Sequence, residues 1–223
     1  EDARRLRTFQ AGADVYVRER ALPAASERNI TDKMTNGEWD VRDLDVSWDG
    51  RRLVFSMREP VIPGADEIEQ PTWNIYEYNL DADSLRRVIT SNLIAEEGHD
   101  VAPHYLPDGR IVFSSTRQRQ SRGILLDEGK PQFPAEDEDR REWAFTLHVM
   151  NVDGTGIRQI SFNQSHDLDP AVLGDGRIIF SRWDNAGPSG MHLYAMNPDG
   201  TRLQLLYGAN SHATGSGEST IQF

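Results

Sequence analysis

Cysteine is absent from the 223 residues of this chain. The chain therefore forms no disulfide, holds no thiolate metal site and contains no CxxCH motif, which excludes covalently bound haem within it. Long apolar runs are also missing. None approaches the roughly 20 residues that a helix needs to cross a bilayer, so we predict no membrane span. These absences exclude neither an oxidising nor a reducing compartment.

Basic residues are few relative to acidic ones. The 24 Lys and Arg residues are outnumbered by 36 Asp and Glu residues, and the formal net charge at pH 7 is −12. Nucleic acids and anionic membranes attract basic surfaces, so this balance argues against both as unaided partners. Hydrophobic residues make up 37% of the chain, which is typical of a folded protein rather than a disordered one.

Several motifs that carry catalysis or ligand binding are missing as well. The chain has no GxSxG elbow, no phosphate-binding loop and no Rossmann fingerprint. The phrases "NVDGTG" and "NPDGTR" offer oxygen atoms, but they lack the spaced acidic residues and the closing Glu of a calcium loop. Both phrases are typical of hairpin turns, and we predict no catalytic residue from them.

What the sequence does contain is a repeat. An Asp-Gly turn followed by an apolar strand occurs as "WDGRRLVFS" at 48–56, "PDGRIVFSS" at 107–115 and "GDGRIIFSR" at 174–182. The strand is apolar at nearly every position, which indicates burial on both of its faces. A second phrase, two short apolar runs joined by an Asn, Asp and Gly turn, follows each of these strands and predicts a hairpin. It occurs at 74–90, 147–161 and 193–207.

The repeat predicts an all-β fold, a β-propeller of four-stranded blades whose strands we name A to D in chain order. A β-sandwich with coincidental hairpins is the alternative, but two phrases that recur together in the same order favour the propeller. An incomplete blade at each end predicts that the chain is part of a larger propeller of about six or seven blades. We assign 1–223 to this domain, with blades at about 41–90, 101–161 and 168–207 and partial blades at 14–31 and 211–223.

Propeller geometry sorts the connections into two sets. The A–B and C–D turns lie at one end of each blade and are short, whereas the B–C and D–A loops lie at the other end. The long insertions, at about 57–73, 116–145 and 182–191, belong to the second set. Because long loops on a rigid scaffold usually carry binding, we predict that this face binds a partner, a neighbouring domain or a ligand.

The longest insertion, 116–145, begins basic and becomes acidic at 136–139. Its apolar residues, among them Ile124, Phe133 and Trp143, favour docking on a partner protein or on a neighbouring domain of the same polypeptide. The alternative is a solvated excursion held by its own ion pairs, each of which contributes only about 0–1 kcal/mol at a surface.

Histidine recurs at one position of the repeat, in "EGHDVAP", "QSHDLDP" and "NSHATGS". His99, His166 and His212 each precede strand A, and Asp100 and Asp167 follow the first two. A ring of neutral imidazoles around the axis could bind a divalent metal such as zinc, manganese or iron. The competing interpretation is structural, with Asp capping the turn and His packing between blades.

Two families resemble the chain. The phrases "PDGRIVFSSTR" and "LHVMNVDGTGIRQIS" resemble the WD-like propeller repeats of the TolB family of bacterial cell envelopes. The phrases "GADVYVRERAL", "RQSRGILLDEGKPQF", "FNQSHDLDP" and "NSHATG" together resemble the N-terminal propeller region of proteins related to the hydrazine synthase alpha subunit. That family places a propeller ahead of c-type-haem domains outside the cytoplasm, which implies a periplasmic or secreted location. Since the chain has no cysteine, no haem ligand of the family is carried over.

These observations predict a non-catalytic propeller scaffold that binds a partner protein, a neighbouring domain or a ligand. The candidate binding residues are His99, Asp100, His166, Asp167 and His212. One alternative is a metal-dependent propeller enzyme, similar to polysaccharide lyases that use axial histidines. Another is a module of a multi-haem oxidoreductase whose cysteine motifs lie outside these residues. The chain begins with Glu1 rather than Met, from which we expect that an upstream segment has been removed.

Overall fold

The computed structural model describes residues 8–137, 140–184 and 190–208. It is mostly β-structure, with fourteen strands, three short helices and a 3₁₀ turn at Glu67–Glu69 in these ranges. The strands are β1 (Tyr16–Arg18), β2 (Glu27–Asn29), β3 (Asp40–Val46), β4 (Arg52–Arg58), β5 (Asn74–Asn79), β6 (Ser84–Arg87), β7 (Asp100–Tyr105), β8 (Ile111–Ser115), β9 (Thr146–Met150), β10 (Arg158–Gln159), β11 (Asp167–Val172), β12 (Ile178–Asp184), β13 (Gly190–Met196) and β14 (Gln204–Tyr207). The helices are α1 (Asp32–Thr35), α2 (Asn92–Ala95) and α3 (Arg119–Asp127).

Twelve of these strands form three antiparallel sheets of four, in which the order across the sheet follows the order along the chain. We name them blade I (β3 to β6), blade II (β7 to β10) and blade III (β11 to β14). The first strands of consecutive blades, β3, β7 and β11, contact one another and are innermost. This arrangement confirms the predicted propeller of four-stranded blades.

Strand B of each blade is apolar because it is covered on both faces. In blade II, Ile111 and Phe113 point toward blade I and share a buried cluster with Val54. Val112, between them, points the other way and joins Phe180 of blade III in a second cluster. Burying one such side chain fully stabilises the fold by about 1.5–3 kcal/mol. Strand B is therefore a continuous apolar run in the sequence because its alternate residues pack against the blades on its two sides.

Each innermost strand is interrupted by a β-bulge. The bulges place Asp43, Ala102 and Asp169 at positive φ, between 48° and 58°. In blade I the bulge turns two carboxylates toward the next blade. Asp43 accepts a hydrogen bond from the backbone N–H of Ala102 at 3.0 Å, and Asp45 accepts one from that of Tyr105 at 2.9 Å. The bulge thus links the inner edges of blades I and II.

The segment predicted as an incomplete blade at 14–31 contains the antiparallel pair β1–β2. Val15 and Ile30, which flank this pair, pack against Phe55 and Tyr76 of blade I. The hairpin therefore covers the face of blade I that blade II leaves open. The other predicted partial blade, 211–223, lies outside the described residues.

The helices lie in connections that the sequence pattern predicts as loops. Helices α1 and α2 are single turns that follow β2 and β6, and α3 begins the long insertion after β8. Across the described ranges, no helix combines the length and the apolar character needed to cross a membrane.

Candidate functional site

Antiparallel pairing within each blade sends alternate connections to opposite ends. The connections of strands B to C and D to A share one end, which we name the loop face. On this face lie the segments 59–73, 88–99, 116–145 and 160–166. The opposite end, the turn face, carries the short A–B turns, while the C–D turns of blades II and III lie beside the ends of the preceding blades' last strands. The loop face holds His99 and His166 with their neighbouring aspartates, as expected from the repeat.

His99 and Asp100 attach blade II to blade I. The backbone N–H of Trp73, the residue before β5, donates a hydrogen bond to Nδ1 of His99 at 3.2 Å. The carbonyl oxygen of Trp73 accepts one from the N–H of Asp100 at 2.9 Å. Both polar groups of one backbone unit are thereby satisfied by the residue pair that opens the next blade.

His166 and Asp167 repeat this contact one blade further along. The N–H of Phe145, the residue before β9, donates to Nδ1 of His166 at 3.1 Å. The carbonyl oxygen of Phe145 accepts from the N–H of Asp167 at 2.8 Å. We name the two arrangements the histidine clasps. Their repetition accounts for the repeated His-Asp pair in the sequence, because each pair closes a blade boundary.

The clasps also define the protonation of the rings. A neutral imidazole that accepts through Nδ1 carries its proton on Nε2. Burial lowers the pKa of His166 to about 4, so this ring is neutral at pH 7. A histidine that binds a metal through one nitrogen instead donates from the other. Within the described ranges, no group of three or more His, Cys, Asp and Glu side chains is arranged to hold a metal ion.

The third histidine of the predicted ring, His212, lies outside the described residues. The proposed metal site at His99, His166 and His212 therefore stays a prediction. The same holds for a binding role of Asp100 and Asp167, whose side chains are fully buried.

The two aspartate side chains take part in buried ion pairs. Asp167 accepts two parallel hydrogen bonds from the guanidinium of Arg182, at 2.7 and 2.9 Å. Asp100 binds Arg117 in the same way, and the hydroxyl of Ser115 donates to it at 2.6 Å. Burial raises the pKa of both aspartates, while the facing arginine opposes that rise. Each pair joins the start of strand A to the end of strand B.

Sequence reasoning missed the arginines, although the signal was present. Arg58, Arg117 and Arg182 each follow the Phe-Ser of strand B, in "FSMR", "FSSTR" and "FSR". In blade I, Arg58 lies directly opposite Asp40 in the strand register. The aspartate that opens strand A and the arginine near the end of strand B are therefore a repeated pair, visible only when both phrases are aligned together.

Specific contacts hold the described parts of the long insertion, 116–137 and 140–145, at its base. The side-chain amide of Gln118 donates to the carbonyl oxygens of Ala135 and Ala144, at 2.9 and 2.7 Å. Its oxygen accepts from the N–H of Ala135 at 2.7 Å. Beyond these contacts, Glu136 and Trp143 form a single antiparallel bridge. One buried glutamine thus closes the base of the insertion.

Apolar side chains of the loop face are accessible. In the insertion, Leu126 and Phe133 are 59% and 72% exposed, and on the neighbouring D–A loop Leu93 is 81% exposed. Because the base of the insertion is held by Gln118, these side chains are presented on an ordered support. They are among the accessible apolar side chains of the loop face, and we name these three the apolar rim.

Comparisons with known proteins agree with the fold. No family model and no curated protein matches the chain. Among solved structures, hydrazine synthase of Kuenenia stuttgartiensis matches with a TM-score of 0.63 and 17% identity, over 96% of this chain and 29% of that chain. A protein of Agrobacterium tumefaciens described as TolB matches with a TM-score of 0.53 and 18% identity, over 81% of this chain and 52% of that one.

An oligogalacturonate lyase in complex with manganese also matches, with a TM-score of 0.51 and 14% identity over 81% of this chain and 44% of that chain. All three are β-propeller proteins, which confirms the TolB-like resemblance. The chain spans between 29% and 52% of the length of these structures. At such identities the likeness establishes the fold, and many functions share this fold.

Proposed function

We propose that the chain is a non-catalytic β-propeller domain that binds a partner protein or a neighbouring domain through its loop face. The observation that carries this proposal is the apolar rim on an ordered insertion. Leu93, Leu126 and Phe133 are among the most exposed large apolar side chains of the described residues. Exposed apolar surface is typical of protein interaction sites when it forms a contiguous patch.

The interior of the domain supports the same interpretation. The polar residues that the repeat brings together, in the clasps and in the buried ion pairs, are engaged with one another at the blade boundaries. They stabilise the blades, and the rim stands on top of them. A propeller whose buried polar groups bond to one another between blades serves as a rigid scaffold for its loops.

We propose further that the protein works in the periplasm or is secreted. The resemblance to cell-envelope propellers supports this location. The chain spans 29% of the hydrazine synthase structure that it matches, which favours a neighbouring domain of a longer polypeptide as one form of the partner.

Site-specific photo-crosslinking tests the proposal. A benzophenone amino acid is introduced at Leu126 or Phe133 on the loop face and, as matched controls, at the exposed Asp108 or Asp175 of the turn face. We expect the two loop-face positions to capture the same protein or the same neighbouring domain in cells, and the two turn-face positions not to capture it. Equal capture from both faces, or none from the loop face, would contradict the proposal.

A further inference from the structure

A cavity of about 750 Å³ lies at the boundary of blades I and II. It is open to solvent on one side and is bordered by the loop 89–97 after β6, by helix α3 and by the C–D turn 153–157 of blade II. Its size is within the range of small-molecule sites. The clasps and the apolar rim do not border it, so it raises a question separate from partner binding.

One stripe of α3 forms a wall of this cavity. Gln120, Gly123, Ile124 and Asp127 line it, at the i, i+3, i+4 and i+7 spacing of a single helix face. Leu126, a member of the apolar rim, is not among the lining residues. The helix therefore presents one face to the cavity and another to solvent.

The remaining walls are largely apolar. Ile89, Ile94 and Ile157 join Ile124 around the cavity. Gly123 leaves space in the wall, because a Cβ atom built there meets no atom within 4 Å. An apolar body can therefore be accommodated beside the helix without moving the backbone.

A hydrogen-bond acceptor lies at the inner end. His148 lines the cavity and is only 2% exposed. Its Nδ1 is 2.9 Å from the carbonyl oxygen of Thr146, which can only accept, so Nδ1 carries the proton. Burial lowers the pKa of His148 to about 3, which keeps the ring neutral. Nε2 is therefore the nitrogen with the lone pair, and none of the described residues donates a hydrogen bond to it.

Negative charge lies at the mouth. The lining residue Glu97 pairs with Arg119 at 3.1 Å and with Arg117 at 3.5 Å, and Arg117 also neutralises Asp100. By contrast, Asp127 and Asp153 form no ion pair among the described residues, although the charge of Arg86 helps to lower the pKa of Asp153, which bonds within its own turn. Two carboxylates at the mouth of an apolar cavity favour a cationic ligand.

We propose that this cavity binds a small organic amine with an apolar body, an N–H or O–H donor at its buried end and an ammonium group at its other end. The apolar body lies between α3 and the loop 89–97. The donor reaches Nε2 of His148, and the ammonium group lies near Asp127 and Asp153. This inference goes beyond the proposed function and stands on different residues.

Three related probes separate these features by calorimetric titration at low ionic strength. Tryptamine has all of them, 1-methyltryptamine lacks the ring N–H, and indole-3-propionate replaces the ammonium by a carboxylate. We expect tryptamine to bind with one-to-one stoichiometry. Loss of the donor should weaken binding about tenfold, because a buried acceptor is left unpaired. The carboxylate probe should bind at least about tenfold more weakly, with the difference shrinking as salt screens the charges.

Two glycine substitutions supply matched variants. Gly123→Leu fills the cavity at a helical position where leucine is a better helix former than glycine, so the fold is retained. Gly174→Leu places the same side chain in open space on the turn face of blade III. Tryptamine binding should be lost in the first variant and kept in the second. Absence of binding, equal loss in both variants, or equal affinity for indole-3-propionate would each overturn the proposal.

Discussion

At the scale of single residues, the blades contain charged side chains that are buried in pairs. Asp167 and Arg182 lie between strands A and B of blade III, and the carboxylate accepts both hydrogen bonds of the guanidinium fork. Removing both charges from water is costly, and their mutual attraction offsets that cost only while the pair is intact. Losing either partner therefore leaves the other as a buried, unpaired charge, which destabilises the fold.

Breaking this pair should destabilise the protein. We expect Asp167→Asn to lower the free energy of unfolding by about 3–5 kcal/mol, since it leaves a buried guanidinium without its counter-charge. Urea unfolding followed by tryptophan fluorescence measures the change. Asp175→Asn, which removes the exposed partner of Arg177, is the control and should leave the midpoint unchanged. Equal effects of the two substitutions would show that burial of the pair is unimportant.

The buried histidines predict how stability varies with pH. Burial lowers the pKa of His148 to about 3 and that of His166 to about 4, both below the ordinary value of 6.5. Between pH 4 and 6.5, then, the unfolded chain binds protons at these sites that the folded chain does not. Their contribution to stability is fully present above pH 6.5 and is lost as the pH falls, by about 1.4 kcal/mol per pH unit for each histidine.

His166→Gln should remove one of these contributions, because the amide oxygen can still accept from Phe145 while the side chain no longer titrates. We expect the free energy of unfolding to fall less steeply between pH 6 and pH 4.5 in the variant than in the wild type. Between pH 7 and pH 8 the two curves should run parallel. Parallel curves at acid pH as well would mean that His166 is protonated equally in both states.

At the scale of elements, the C–D turns of blades II and III pack against the blade before them. A Cβ atom at Gly154 of blade II would overlap the carbonyl oxygen of Val88, the residue that directly follows the last strand of blade I. At Gly200 of blade III a Cβ atom would lie 2.6 Å from the carbonyl oxygen of Ile160, the residue that directly follows the last strand of blade II. Both glycines have positive φ, +82° and +87°. The Asp-Gly turn thus serves two purposes, the reversal of the chain and the close approach of two blades.

These purposes can be separated by substitution. Gly109 has nearly the same φ, +85°, but a Cβ there meets no atom within 4 Å. Gly109→Ala should cost only the left-handed backbone penalty, about 1–2 kcal/mol. Gly154→Ala and Gly200→Ala should cost about 1–3 kcal/mol more, because the added methyl group must displace backbone. Thermal unfolding of the three variants measures the difference, and similar losses in all three would contradict the close approach.

The elements differ in how far the sequence predicts them, for a physical reason. The strands and their Asp-Gly turns follow from local alternation and turn chemistry, which are written in consecutive residues. Helix α3 is different, since it has the weak helix former Gly123 at its centre and much of its surface is polar. The backbone N–H of Ser121 in this helix donates a hydrogen bond at 3.2 Å to the side-chain oxygen of Gln159 in β10, which is 38 residues away in the sequence. Such a helix depends on tertiary contacts, which no local pattern records.

The candidate site shows the same division. Periodicity places His99 and His166 at equivalent positions and predicts that the long loops share one face. It does not reveal that each ring accepts from a backbone N–H of the previous blade, because Trp73 and Phe145 carry no signature of that role. The Asp–Arg pairs could have been found by aligning the start of strand A with the end of strand B.

At the scale of the whole molecule, different kinds of contact join consecutive blades at different positions along their boundary. Consecutive blades share apolar clusters, the clasps close the boundaries near the loop face, and the C–D turns close them further out. Since these contacts hold the sheets, the exposed apolar side chains of the loop face are not needed to hold the blades together. This is the physical basis for assigning binding to the loop face.

Hydrogen exchange tests that assignment most directly. The chain is compared alone and with the partner captured by crosslinking, and exchange is followed by mass spectrometry across all segments in one experiment. The account predicts slower exchange in 88–97 and 118–137 on binding, with no change in the A–B turns at 48–51, 107–110 and 174–177. Protection of those turns with none on the loop face would contradict it.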